Sequence, residues 1–106
     1  MHEAGLARAV AATLRERGLD PADVRLLVRG GHHGAAEFDA SLRTYLAAEL
    51  PGAGADGVPI VHLPVQHLCV GCGSAFQAAE VDAACPSCGG ASLSAVLDEQ
   101  VEIELP

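Results

Sequence analysis

Two Cys-x-x-Cys pairs constrain this chain more than any other feature. Cys69-Val70-Gly71-Cys72 and Cys85-Pro86-Ser87-Cys88 are separated by twelve residues, and Gly73 and Gly89 follow immediately after each pair. A two-residue spacing lets both sulfurs of a pair turn to one side, and a glycine after it permits a backbone approach that a side chain would obstruct. Two such knuckles meet at one tetrahedral ion. Four sulfur ligands close the coordination shell, so the ion they fit is a structural Zn(II) rather than a catalytic one with an open position.

The rest of the composition makes such an ion useful. The chain has 106 residues, half of them hydrophobic, but only two Phe, one Tyr and no Trp. Burial per residue is therefore lean, and a metal is a natural folding aid. All six basic side chains are Arg, against fourteen Asp and Glu, and Arg43 is the last of them. From Thr44 onward the chain carries carboxylates and no Lys or Arg, which removes the electrostatic source of phosphate-backbone binding and argues against a nucleic-acid partner. No apolar run reaches the roughly 20 residues that cross a bilayer, and no basic segment precedes a signal-peptide core, so the sequence implies a cytoplasmic chain without membrane contact. In that setting four cysteines point to a metal and not to disulfides.

Periodicity supplies the frame. Leu6, Val10 and Leu14 recur every fourth residue between Glu3 and Arg17, as on an amphipathic helix ended by Gly18. Val24, Leu26 and Val28 alternate with arginines as in a half-buried strand. A second helix fits Ala36 to Leu50, with Phe38, Leu42, Tyr45, Leu46 and Leu50 on one stripe, and residues 51–57 read as a flexible connection. Residues 58–68 are β-like but interrupted by Pro59 and Pro64, and Val101, Ile103 and Leu105 alternate with glutamates in a closing strand. That strand has no evident partner inside the cysteine region. The expected fold is thus α+β: two helices packed on a small, mainly antiparallel sheet, with a zinc-ribbon-like lobe inserted before the last strand. The division is residues 1–66 with 91–106 as one lobe, and 67–90 as the zinc-binding ribbon.

The N-terminus adds a second candidate site. An α-amine on Met1, the deprotonated amide nitrogen of His2 and its imidazole can form fused rings around one ion, with Glu3 available for a fourth place. A planar, nitrogen-rich set of this kind suits Ni(II) or Cu(II). Of the other histidines, His32 and His33 lie in a glycine loop as solvent-exposed residues or auxiliary ligands, whereas His62 and His67 flank the cysteine region in positions that favour packing or hydrogen bonding over ligation.

Residue by residue, the chain resembles the HypA-type hydrogenase maturation factors over almost its whole length. Met1-His2-Glu3 is similar to the family's nickel-binding start, and residues 24–30 are similar to its first strand and following glycine. Glu37 through Leu50 resembles its second helix. The Cys69, Cys72, Cys85 and Cys88 quartet resembles its zinc site, and residues 101–104 its last strand. The loop at residues 31–34 departs from the family, which has a more apolar stretch there. The resemblance implies a metallochaperone rather than an enzyme, carrying Ni(II) at Met1, His2 and Glu3 beside a structural Zn(II). It also implies two partners, a hydrogenase maturation GTPase and the [NiFe]-hydrogenase large subunit. Two other readings compete with it: a zinc-ribbon interaction module without nickel chemistry, and a rubredoxin-like iron electron carrier. The second is disfavoured because such carriers rely on an aromatic core and only Phe76 lies near these cysteines.

Overall fold

The computed structural model describes residues 2–30, 34–96 and 99–105. Helix α1 (His2–Arg17) buries Ala7, Val10, Ala11 and Leu14 on one stripe. It ends where Gly18 takes a φ of 63°, with the Gly18 amide on the Arg15 carbonyl and the Leu19 amide on the Leu14 carbonyl. This left-handed closure satisfies two orphan carbonyls and turns Leu19 back toward the core. A 3₁₀ turn at Pro21–Asp23, capped by the Asp20 carboxylate on the Ala22 amide, leads into β1 (Arg25–Arg29).

Leu26 and Val28 of β1 are fully buried, and helix α2 (Ala35–Glu49) covers them with Phe38, Leu42 and Leu46. Residues 51–57, expected to be a flexible connection, are instead anchored. Ala55 and Val58 are only 2% exposed, and Arg43 Nε donates to the Val58 carbonyl at 3.1 Å. Two small apolar side chains were enough to fix a glycine-rich turn, because each fills space at the end of α2.

Strand β2 (Ile60–Leu63) follows and runs parallel to β1, with Leu26 opposite Ile60 and Val28 opposite His62. A helix connecting two neighbouring strands requires that direction. The last strand, β6 (Gln100–Glu104), lies antiparallel on the other side of β1, with Leu26 opposite Ile103 and Val28 opposite Val101. The first sheet, in the order β2-β1-β6, therefore has one parallel and one antiparallel pairing. Its helix-facing side carries Val101 and Ile103. On its solvent side Arg25 pairs with Glu104, and Arg29 lies 3.7 Å from Glu102.

Pro64 divides the β-like stretch: β2 stays in the first sheet, while β3 (Val65–Cys69) begins a second one. There β3 is flanked by β4 (Ala75–Ala78) and β5 (Ser92–Ser94), both antiparallel to it. The cysteine lobe is thus inserted before the last strand, and its hydrogen-bonded sheet runs from Val65 to Ser94. The molecule is elongated, 49 × 25 × 18 Å. Among the described residues no helix is long and apolar enough to cross a membrane.

The chain's return from the second sheet passes close over Gly30, at the end of β1. Gly30 has a φ of 67°, and a Cβ built there would stand 2.8 Å from Val96 Cγ1. Only glycine accommodates both that backbone conformation and that approach.

Candidate metal centre

The four cysteines are brought together by two local turns of the same design. In the first, the Cys69 amide donates to the Ser74 carbonyl at 2.9 Å and the Gly73 amide returns to the Cys69 carbonyl at 3.1 Å. In the second, the Cys85 amide donates to the Gly90 carbonyl at 2.9 Å and the Gly89 amide to the Cys85 carbonyl at 2.8 Å. Gly73 and Gly89 have φ values of 75° and 74°, so the glycine after each pair is what closes the loop. The first turn hangs from the end of β3. The second is set by the segment between β4 and β5.

All four sulfurs lie within 4.8 Å of one another. Cys69 Sγ is 3.5 Å from Cys88 Sγ, and Cys72 Sγ is 3.7 Å from Cys85 Sγ. Bonds of about 2.3 Å from a tetrahedral zinc would put its sulfurs about 3.8 Å apart, so the observed separations fit one such ion. Cys69 and Cys85 are buried, while Cys72 and Cys88 face outward. Backbone amides support the cluster: Cys72 N donates to Cys69 Sγ and Gly90 N to Cys88 Sγ, each at 3.4 Å. A Cβ at Gly90 would press to 3.2 Å from the Cys88 sulfur, which keeps that position small.

Thiols this close cannot all ionise by themselves. Ser74, through its hydroxyl 3.2 Å away and its amide, draws Cys72 down to about 6, and the Cys72 amide lowers Cys69. At Cys88 the Gly90 amide is the largest influence and favours the thiolate. The sulfurs of Cys69 and Cys72, burial and Cys85 nevertheless push Cys88 up to about 12. A divalent cation at the centre removes that conflict by making four thiolates attractive to a common charge. The donor set and its spacing thus fit a metal such as zinc, held by Cys69, Cys72, Cys85 and Cys88 with no protein ligand to spare.

His67 is not a ligand. It is fully buried beneath the cluster, stacked on Phe76 with centroids 5.2 Å apart. Its Nε2 donates to the Ala78 carbonyl at 3.2 Å and its Nδ1 meets Ser92 Oγ at 3.1 Å, while Ser92 also donates to the Ala83 carbonyl at 2.6 Å. The histidine is therefore a polar strut joining β3, β4, β5 and the loop between β4 and β5. His62 belongs to the other lobe, where Nε2 meets Asp39 Oδ1 at 2.6 Å and the ring stands edge-on to Phe38. Neither Ser74 nor Asp39 was singled out from the sequence. Ser74 follows a Cys-x-x-Cys-Gly knuckle, a position that could have been flagged, whereas Asp39 is 23 residues from His62 and left no local signal.

The nickel ligands expected at the N-terminus fall mostly outside the described residues: Met1 entirely, and His2 in its side chain. The backbone of α1 begins at His2, and Glu3 stands half-buried in its first turn. His32 and His33 also lie outside the described residues. Among those described, the metal-competent cluster of His, Cys, Asp and Glu is the cysteine quartet. Comparison with protein-family models, curated proteins and solved structures returned no match to this chain.

Proposed function

We propose that the chain is a nickel carrier: a metallochaperone that binds Ni(II) at Met1, His2 and Glu3 and delivers it for [NiFe]-hydrogenase maturation, with Zn(II) as a structural ion. The observation that carries this reading is the separation of roles along the chain. A four-sulfur shell is closed and suits a structural ion, so cargo that must be both held and released belongs elsewhere, and the Met1-His2-Glu3 sequence proposed for it leads into α1, in the other lobe. The topology supports it as well, since the final strand returns from the cysteine lobe to β1, as the resemblance to HypA-type factors implies. A helix start also suits planar chelation: the amide at the first position has no carbonyl one turn earlier to serve. In this reading a maturation GTPase and the hydrogenase large subunit are the partners, and the chain catalyses nothing.

The test uses an untagged chain whose first residue is Met1. Nickel titration should give a weak d-d band of planar, diamagnetic Ni(II). His2→Ala, or one residue fused ahead of Met1, should abolish that band while zinc content stays constant. Equal affinity and an identical spectrum in the extended chain would refute the N-terminal site. A colourless zinc-loaded sample separates the reading from an iron carrier, which would be red.

A further inference from the structure

The outward side of the second sheet is unlike the outward side of the first. On the first sheet the solvent face is laced with the Arg25–Glu104 and Arg29–Glu102 pairs. On the second sheet the cysteines and His67 occupy the inner side, and the outer side of the three strands presents no charge. Leu68, Val70 and Leu93 are 52%, 65% and 64% exposed there, three of the four large hydrophobic residues left open among the described residues. They are contiguous. Leu68 pairs with Leu93 on one side and with Ala75 on the other, so an apolar row crosses all three strands. Val70 lies two residues beyond Leu68 on the same side, fixed by its amide on the Ala91 carbonyl at 3.0 Å. Gln66 and Gln77, opposite one another, are the polar margin. A solvated sheet face normally alternates toward charged residues, and an uncharged apolar one marks an interaction surface.

Area and charge choose the occupant. Three strands by five residues span about 14 × 17 Å, or about 240 Å², well below the roughly 800 Å² per partner of a stable pair of copies. Two copies would also bring together chains of net charge −8. No Lys or Arg follows Arg43, and the charged residues between Val65 and Val96 are Glu80 and Asp82, both exposed, so the lobe that carries this face is acidic. The row spans about 10 Å across the strands, with Val70 about 7 Å along them, a spacing matched by side chains at i, i+4 and i+7 of one helix.

We propose that this face docks an amphipathic helix of another protein, apolar along one stripe and flanked by Lys and Arg. The surface depends on the metal centre, because Val70 sits inside the first cysteine knuckle and Leu68 precedes it. It does not depend on the nickel reading and stands or falls separately.

The test titrates the zinc-loaded full chain with an 18-residue peptide of Leu and Lys arranged at helical i, i+3, i+4, i+7 spacing, followed by backbone amide shifts. Saturable shifts should centre on Leu68, Val70, Ala75 and Leu93, and a Leu and Glu peptide of the same pattern should leave them unmoved. Leu68→Ser with Leu93→Ser should weaken binding by at least about tenfold with zinc content retained. Val70→Glu, at the most exposed position, offers a second variant that leaves the sheet intact. Shifts confined to the first lobe, or equal binding by both variants, would overturn the proposal. So would the same residues shifting with protein concentration alone, which would make the occupant a second copy.

Discussion

Gly30 and Val96 meet where the two halves of the chain come together: a Cβ on Gly30 would stand 2.8 Å from Val96 Cγ1, in a backbone conformation with φ 67°. Gly30→Ala carries both a left-handed backbone penalty and an overlap, so it should destabilise the protein by about 2–4 kcal/mol. Urea unfolding with an unchanged m-value checks it. Gly18→Ala has the same backbone penalty but open space around it and should cost only about 1 kcal/mol.

Cys72→Ser or Cys88→Ser should abolish stoichiometric metal binding and strip amide protection from β3, β4 and β5, while α1, α2 and β1 keep theirs. The second lobe contains little apolar burial beyond Val65, Cys69 and Cys85, so a metal held by the four cysteines would supply much of its folding free energy. Hydrogen exchange with metal analysis reads both effects, and persistent protection in the metal-free variant would contradict a structural ion.

Metal affinity should fall with acid, since each thiol must lose its proton to ligate. Cys72, drawn down to about 6, is largely thiolate at neutral pH, whereas Cys88, pushed up to about 12, keeps its proton until the ion enters. Adding Zn(II) to the metal-free chain at pH 7 should therefore release protons, Cys88 contributing one, and affinity should keep rising above neutrality. An indicator dye in weak buffer measures the release. Ser74→Ala, by raising the Cys72 thiol, should increase the proton yield near pH 7.

His67→Ala should unfold the second lobe selectively. It removes the bond to the Ala78 carbonyl and opens a cavity against Phe76, a combined loss of about 3 kcal/mol. A weaker zinc affinity with unchanged amide exchange in α2 is the expected signature.

Much of this architecture could be read from the chain. Leu6, Val10 and Leu14 announced α1, Phe38, Leu42 and Leu46 announced α2, and the alternation of Val101 and Ile103 with Glu102 and Glu104 announced a closing strand that pairs with β1. The cysteine quartet was legible from spacing alone, because a knuckle is a local structure. What escaped were relations across distance. The parallel pairing of β1 and β2 depends on α2 lying between them, Asp39 reaches His62 from another element, and Ala55 enters the core from a stretch whose composition suggests a linker. The bare outer face of the second sheet was hidden too, since Leu68 and Leu93 become neighbours only through register.

The insertion topology also sets an order of events in time. Arg25 of β1 pairs with Glu104 of β6, 79 residues later, so the first sheet cannot close until the whole cysteine lobe has left the ribosome. Until then Leu26 and Val28 rest on helices with one strand edge bare. Once it has emerged, the cysteine lobe eases that closure by drawing Val65 and Ser94 into one small sheet, which turns a long loop closure into a short one. With a metal holding the four cysteines together, a cell short of that metal would thus meet the deficit first as slow, aggregation-prone maturation of new chains, well before any loss from those already folded.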